Sequence, residues 1–445
     1  VTIDGVSLAS ADANQGASGN ARAFSFEQVS LGSMDSIEVS KTISADVDAN
    51  APAGTINLKS KRAFSRSGRR IVTQANVTVF ADEWHFNRTR GPDDAKHRKI
   101  NPGGILEYSD VYLNKRLGVV LSISESNLYS ENARSIVTYN YTTTATDQRP
   151  VVPTSLAFLH APRLNRRSTV NLNTDFKATD RLILSLSLLY NYASLYNLQR
   201  TMTFNAGTRA NITGTDPLVG FTSAANGTVT SGPSSIVKPG ETYTMVPRFE
   251  YKIGGLVIEG KFAGSDSKSW YNPLARQGSA LNAGSPSLAG VQYRAQRSSL
   301  ISSDWKIQQI GGPDFSLGNG FTNPTLGIND GRSGRTQVFS GDITATYKTS
   351  AVLPIAWKTG LKRKHEVRDF LVDTESKRYT YIGPGAGTGV WSGIPSPFKF
   401  DPDGLDARIS STSGGTVFIP NLLEIGRLFR EQPSYFTNVM TAANY

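Results

Sequence analysis

Polarity alternates from residue to residue along several segments of this chain. In 182–192 one face is apolar, made of four leucines and two tyrosines, and the other is mostly serine and asparagine. Successive side chains of a β-strand point to opposite faces, so this period of two predicts a strand and not a helix. Similar patterns predict nine strands, at 71–81, 104–113, 117–127, 168–177, 181–193, 243–252, 255–266, 336–347 and 354–371.

The connections between these strands alternate between short and long. Strands of about 9 to 13 residues are long enough to cross a bilayer at a tilt, whereas strands of soluble proteins average about 5 to 6 residues. Membrane β-barrels have short turns on one side and long loops on the other. The pattern predicts such a barrel only if residues 299–310 belong to a loop. The predicted short turns are 114–116, 178–180, 253–255 and 348–353, and the long loops are 82–103, 128–167, 194–242 and 267–335.

Composition excludes several other classes. Apolar residues make up 38% of the 445, and no run approaches the roughly 18 apolar residues of a membrane-spanning helix. Without cysteine, disulfide scaffolds, cysteine–zinc sites and thiol nucleophiles are excluded. The net charge of +11 is spread along the chain without a nucleic-acid-binding module, which argues against a nucleic-acid partner.

The first 66 residues follow a different, smaller pattern. Val1–Ile3 read as a strand that ends in an Asp4-Gly5 turn, and 36–40 and 55–59 read as two strands around a turn rich in Asp, Asn and Pro. A basic segment, 59–70, leads into the long alternating strands. We therefore predict two domains, a small β-rich one at 1–66 and a barrel portion with long outside loops at 67–445.

These N-terminal residues resemble the plug domain of TonB-dependent outer-membrane receptors. Val1-Thr2-Ile3-Asp4-Gly5-Val6 is similar to a strand and turn of that plug, and Ser36-Ile37-Glu38-Val39-Ser40-Lys41 with Ala53-Gly54-Thr55-Ile56-Asn57-Leu58-Lys59 is similar to its closing segment. Ala53 stands where the family often has a first glycine of a pair. Asp46-Val47-Asp48-Ala49-Asn50 between them is similar to a large-loop branch associated with carbohydrate or other polymer-derived nutrients.

The resemblance implies an all-β fold: a transmembrane antiparallel β-barrel, with about nine strands of a larger barrel here, preceded by part of a plug. It implies location in the outer membrane and energy-coupled uptake of a nutrient, a carbohydrate or other organic ligand more than a siderophore. Partners would be the TonB energy-coupling complex, reached through a segment outside this chain, outer-membrane lipid, and a small organic or oligosaccharide ligand. No cofactor and no enzymatic step are expected. A passive porin and a soluble glycan-binding β protein are the alternatives.

Two groups of residues are candidates for function. Glu38, Lys41 and Lys59, with Lys61 and Arg62, suit ion pairs between plug and barrel wall that would break when the plug loosens, or charges that line a wet lumen. Aromatic residues beside polar groups suit stacking on sugars or flat ligands, or placement at the membrane interface. The aromatic candidates are Trp84, Tyr139, Tyr141, Trp270, Tyr271, Tyr379 and Trp391.

No metal site or catalytic constellation is predicted. The segment 46–50 resembles the start of a calcium loop, but Ala51 and Asn57 stand where an EF-hand has Gly and Glu, so a turn is the better interpretation. The four histidines, His85, His97, His160 and His365, do not have the spacing of zinc ligands.

Overall fold

A computed structural model gives the fold of the chain. It describes residues 1–13, 24, 34–41, 54–65, 68–81, 86–87, 89–90, 96–207, 209, 212–213, 216–223, 227–271, 281–283, 286–318, 320–322, 325–328, 332–349, 355–371, 377–384, 408–419 and 422–439. The turn predicted at 46–50 lies outside these residues, as do His85, Trp84 and Trp391.

The described residues are almost entirely β-strand, which confirms the predicted all-β class. They include one α-helix, α1 (Leu422–Glu431), and short 3-10 helices at Ala63–Ser65 and Pro433–Tyr435. Among the described residues, neither kind of helix has the length and apolarity needed to cross a bilayer. The strands are β1 (Thr2–Ile3), β2 (Val6–Ser7), β3 (Met34–Ser40), β4 (Thr55–Ser60), β5 (Arg70–Val79), β6 (Thr89–Arg90), β7 (Lys96–His97), β8 (Ile100–Tyr112), β9 (Leu117–Asn140), β10 (Val152–Lys177), β11 (Leu182–Asn205), β12 (Ile212–Thr213), β13 (Gly220–Ser223), β14 (Thr228–Ile253), β15 (Leu256–Trp270), β16 (Leu281–Ala283), β17 (Ser287–Ala289), β18 (Gln292–Gln296), β19 (Lys306–Gly311), β20 (Thr325–Ile328), β21 (Ser333–Lys348), β22 (Ala356–Leu371), β23 (Lys377–Tyr381), β24 (Ile409–Ser410) and β25 (Phe436–Asn438).

Nine long strands form an antiparallel meander in the order β5-β8-β9-β10-β11-β14-β15-β21-β22. This confirms the nine predicted strands and the short turns predicted at 114–116, 178–180 and 253–255; residues 350–353 of the fourth predicted turn lie outside the described residues. The predicted long loops at 128–167 and 194–242 are wrong, because the strands on both sides continue into them. β10 and β14 each have 26 residues, about 85 Å at the usual rise per residue.

The two faces of the meander have reversed polarity over the half nearest the short turns. One face, called here the outward face, carries exposed apolar side chains, although soluble proteins bury such residues. The other, inward face carries buried polar ones. Examples on the outward face are Ile71, Val77, Leu106, Ile123, Phe176, Leu184, Leu188, Tyr243, Met245, Phe262, Phe339, Ile343 and Leu361. Examples on the inward face are Ser109, Ser122, Ser124, Thr169, Asn171, Asn173, Asp175, Ser187, Asn191, Thr242, Thr244, Ser265, Ser267, Thr336 and Ser340.

Glycines on the outward face lie beneath phenylalanine rings. Gly260 is directly opposite Phe249, and a Cβ added there would come within 2.1 Å of the ring. Gly341 is opposite Phe262 in the same way, with 2.9 Å to its ring. The ring restores packing that a strand glycine lacks, so these cross-strand pairs favour the observed register.

The N-terminal unit (residues 1–13, 34–41 and 54–65) is a four-stranded sheet in the order β2-β1-β4-β3. Asp4 and Gly5 both have positive φ, 48° and 87°, as expected for the tight turn predicted there. The unit lies on the inward face of the meander, near its short turns. Its small core (Ile3, Val6, Leu8, Met34 and Leu58) includes three residues of the meander, Leu189, Val246 and Ala263.

A second unit covers the other end of the long strands. This distal unit contains a five-stranded sheet, β12-β13-β18-β19-β24, together with β16, β17, β20, β23, β25 and α1. β16 and β17 pair with β14, so these strands extend the sheet of the meander. β19 covers part of 299–310 and pairs within this sheet, which confirms that the segment is not a strand of the meander. The core is rich in fully buried aromatic residues: Phe158, Phe204, Phe221, Tyr293, Trp305, Phe315, Phe321 and Phe418.

The distal unit packs on the outward face. Leu156 and Phe158 of β10, and Met202 and Phe204 of β11, belong to its core. The pairing of β10 with β11 runs without a register shift, so these even-numbered residues share the face of Phe176 and Leu184. The same face is therefore exposed near the short turns and covered near the distal end.

Candidate functional site

The boundary between the N-terminal unit and the inward face is the candidate site. At its centre is a buried ion pair: Arg248 Nη1 of β14 lies 2.7 Å from Asp4 Oδ2, with side chains 5% and 8% exposed. Asp4 also accepts hydrogen bonds from the backbone N–H of Ser60 (3.0 Å) and from its hydroxyl (2.6 Å). Arg248 donates to Ser187 as well. The pair is therefore hydrogen-bonded on both sides of the boundary.

A second contact lies where β4 leads into the first 3-10 helix. Lys61 Nζ is 2.5 Å from Glu107 Oε2 of β8, and both side chains are largely buried. Asp175 Oδ2 of β10 accepts the backbone N–H of Ala63 at 2.9 Å. A Cβ on Gly118 would lie 2.8 Å from the Cβ of Ala63, so glycine lets this turn approach β9.

A third contact holds the segment after β2. Asp12 accepts hydrogen bonds from Lys238 Nζ at 3.1 and 3.0 Å. The backbone N–H groups of Ala9 and Ala11 donate to the hydroxyls of Ser265 (3.1 Å) and Ser267 (3.0 Å). The backbone of this segment is thus bound by side-chain hydroxyls of β15, whereas a paired strand would be bound by backbone groups.

No β-pairing joins the N-terminal unit to the meander in the part of the chain that the structure describes. The attachment consists of ion pairs, side-chain hydrogen bonds and a small apolar contact. Such contacts can separate without breaking either sheet. The geometry therefore suits a unit that docks and undocks.

The predicted gating residues are placed differently from these contacts. Glu38 and Lys59 form an ion pair with each other across β3 and β4. Hydrogen bonds from Lys59 and Asn57 lower the pKa of Glu38. Lys41 is exposed at the end of β3. Of the five predicted residues, Lys61 and Arg62 reach the meander; Arg62 Nη1 is 3.8 Å from Asp175 Oδ1.

Glu38 and Lys59 line an open cleft of about 530 Å³ between the N-terminal unit and β15. Asp4, Arg62 and Lys261 also line it. The cleft leaves the charged outer side of β3 and β4 open to water. The Glu38–Lys59 pair is consequently more exposed than the Asp4–Arg248 pair.

The described members of the predicted aromatic group lie in three places. The rings of Tyr139 and Tyr141 are 6.3 Å apart near the β9–β10 connection. Lys268 Nζ lies 5.2 Å from the Trp270 ring, and the neighbouring Tyr271 is 4% exposed. Tyr379 packs against Phe429 in the distal unit. The described members are not gathered into a single site.

The sequence pattern did not identify the residues that hold the N-terminal unit: Asp4, Asp12, Lys238 and Arg248. One signal was available for Arg248, which shares the even-numbered, inward parity of Thr242 and Thr244 on β14. Lys238 lies within the loop predicted at 194–242. Their carboxylate partners are far away in sequence. Among the described residues, no three His, Asp or Glu side chains form a group that could hold a metal ion.

No protein-family model matches the chain, and no curated protein matches it. Among solved structures, it is similar to the ferric-catecholate import receptor Fiu from E. coli K12 in its closed form, at a TM-score of 0.30 and 11% identity over 87% of this chain. It is also similar to the siderophore receptor PiuA from Acinetobacter baumannii (TM-score 0.22, 9% identity, 86% of this chain) and to the ferric citrate transporter FecA in the unliganded form (0.20, 11%, 85%). The chain spans 59%, 55% and 68% of those three chains.

Proposed function

We propose that the chain is part of a TonB-dependent outer-membrane receptor that imports a nutrient. In this proposal residues 1–66 are part of the plug and 67–445 are part of the transmembrane barrel. The observation that carries it is the reversed polarity of the meander, with an apolar face open and a polar face covered by the N-terminal unit. An apolar exterior around a polar interior is the pattern of a membrane barrel.

The mechanism follows from how the N-terminal unit is attached. Uptake requires the unit to move while the barrel stays intact. Ion pairs and hydroxyl contacts, with no shared β-pairing in the described residues, allow that movement. Ligand binding and the TonB energy-coupling complex would then favour the released state, because each can shift an equilibrium only through its different affinity for the two states. No covalent step is part of this mechanism, and the protein would not be an enzyme.

The arrangement favours this function over a passive porin. A porin has an open aqueous channel, whereas here a folded unit occupies the polar face. The distal unit adds a folded structure at the end of the strands opposite the short turns. A carbohydrate or other organic nutrient is the ligand class that we propose from the plug-like segments.

Surface labelling of the full-length protein in intact cells tests the proposal. The 445 residues contain no cysteine, so single cysteines can be placed at Thr143, exposed beyond β9, and at Asp180, exposed in a short turn. A membrane-impermeant maleimide is expected to label Thr143→Cys and to leave Asp180→Cys unlabelled until the outer membrane is opened. Equal labelling of both in intact cells would contradict the orientation.

A conductance measurement separates the receptor from the porin. The intact full-length protein in a planar bilayer is expected to stay closed. Urea at a concentration that releases the N-terminal unit is expected to open a channel. A large steady conductance without urea would favour the porin.

A further inference from the structure

Three arginines lie along the inward face at the level of Asp12 in the N-terminal unit and beyond it. Arg163 and Arg167 of β10 have the odd-numbered parity of Asn171 and Asp175, which face the N-terminal unit. Arg134 of β9 has the even-numbered parity of the inward residues Ser122 and Ser124. Arg134 and Arg163 are exposed and Arg167 is half-buried. Within the described residues, no carboxylate forms an ion pair with any of the three.

The three arginines are evenly spaced. Arg134 is directly opposite Leu159 of β10, so the three occupy levels 159, 163 and 167 of that strand. Four residues of strand correspond to roughly 13 Å. A single compact anion is too small to contact all three arginines, whereas an extended molecule with repeated negative charges can reach each of them.

Among the described residues, the acidic groups near this row do not neutralise it. Asp12 is bound to Lys238, which lies level with Asn165 through Leu195. Glu125 and Glu131 of β9 have odd-numbered parity and lie on the outward face, where Glu131 contacts His160. A concave surface lined by one sign of charge concentrates ligands of the opposite sign.

We infer that this arginine row binds an extended polyanion, of the class of acidic oligosaccharides with a carboxylate on each sugar. The planar guanidinium group matches a carboxylate with two parallel hydrogen bonds, which a neutral glycan does not offer. The inference rests on the proposed function, because it takes the inward face near the distal end as the path of an imported ligand. It narrows the ligand class from organic nutrients to anionic polymers.

The row also lies close to one attachment of the N-terminal unit. Arg167 and Lys238 line the same narrow cavity, whose wall also includes Asn165, Arg166 and Ser269. A carboxylate held at Arg167 would compete with Asp12 for Lys238. Ligand binding would thereby weaken one of the contacts that dock the N-terminal unit, and by linkage release of the unit would favour binding.

Calorimetric titration of the purified full-length receptor tests the inference, with a galacturonic acid hexamer as probe. We expect the hexamer to bind, and Arg163→Gln with Arg167→Gln to weaken binding by about tenfold for each arginine at low salt. The affinity should fall as sodium chloride is raised, because salt screens exposed charges. Arg134→Gln provides an independent variant on another strand.

Arg166→Gln is the matched control. Arg166 lies between the two arginines on the same strand but faces outward, with its guanidinium carbon 5.8 Å from the Tyr196 ring centre. Its substitution should change the affinity by less than about twofold. An equal loss in Arg166→Gln would overturn the inference, because it would show a general effect of charge or folding.

Two further probes complete the test. Neutral maltohexaose binding as tightly as the acidic hexamer would overturn the requirement for charge. Citrate binding as tightly, with the same loss in the double variant, would overturn the requirement for an extended ligand. Absence of hexamer binding in a protein that passes the surface-labelling test would reject the inference alone and leave the proposed receptor function standing.

Discussion

The N-terminal unit and the distal unit cover opposite faces of the same strands and are attached in different ways. The distal unit pairs with β14 through β16 and β17 and shares a continuous aromatic core with β10 and β11, including rings 5.4 to 6.1 Å apart around Phe204. Among the described residues, the N-terminal unit shares three apolar residues with the meander and is otherwise held by ion pairs and side-chain hydroxyls. Burial of large aromatic surface gives lasting attachment, whereas paired polar groups can exchange their partners for water. The first arrangement suits a permanent cover and the second a removable one.

The largest effect is expected in the distal core. Phe204 is fully buried against Phe158, Tyr293 and Phe315. Phe204→Ala should destabilise the distal unit by about 3–5 kcal/mol, through lost burial and the cavity that remains. Hydrogen exchange at 293–296 should speed up while exchange in β4 stays unchanged. Equal acceleration in both places would show that the two units unfold together, which would contradict their independent attachment.

The next largest effect is expected at the Asp4–Arg248 pair. Asp4→Asn leaves a buried guanidinium without its counter-charge, and we expect the docking of the N-terminal unit to weaken by about 3 kcal/mol. Faster protease cleavage within 1–66, with no change in the distal unit, would show it. Glu38→Gln breaks the exposed Glu38–Lys59 pair and serves as the control, with unchanged cleavage expected. Equal cleavage in both variants would mean that burial does not distinguish the two pairs.

A smaller effect tests the exposed stretch of the outward face. Leu188 is 37% exposed there, between the short turns and the distal unit. In a bilayer, Leu188→Lys should cost about 2 kcal/mol, because a charge on the lipid face loses its hydration. The folded fraction in vesicles, read from heat-dependent gel mobility, measures it. Tyr141→Lys is the control, because Tyr141 is 69% exposed beyond β9. An equal loss of folded fraction in this variant would contradict contact between Leu188 and lipid.

The smallest effect is expected from pH in the distal unit. Partial burial would raise the pKa of Asp314, but hydrogen bonds from Ser413 and Ser316 outweigh it and hold the pKa well below the ordinary 3.8. A lowered pKa in the folded state gives stability that is present above the ordinary value and is lost as the pH falls below it. The melting temperature of the distal unit should therefore be level from pH 7 to about 5 and fall below about pH 4. Asp314→Asn should reduce this decrease in melting temperature. If the decrease is unchanged in the variant, other titratable groups cause it.

The sequence predicted the part of the fold that depends on local pattern. Alternation located the nine strands and the short turns at 114–116, 178–180 and 253–255, because the outward residues near those turns are regularly apolar. It failed beyond about residues 127 and 194, where the distal unit covers the strands. There Phe158, Leu159, His160 and Ala161 are all buried, so polarity no longer reports the strand period.

The candidate site was harder to predict because its contacts join distant segments. The short N-terminal strands were recognisable from their pattern, but nothing local connects Asp4 with Arg248 or Asp12 with Lys238. The aromatic residues were selected by composition, and the structure places two of them in packed surroundings: Tyr271 is buried, and Tyr379 contacts Phe429. Arg134, Arg163 and Arg167 can be recognised as a row only when the full lengths and the register of β9 and β10 are known.

The position of the distal unit has a consequence for how the protein sits among its neighbours. Because the unit packs on the outward side of β10, β11 and β14, the molecule in the proposed orientation is wider above the membrane than within it. The unit would project sideways over the lipid that surrounds these strands. A neighbouring membrane protein that also extends above the membrane could not pack against β10, β11 and β14. Contacts with such proteins in a crowded membrane would therefore involve the other sides of the barrel.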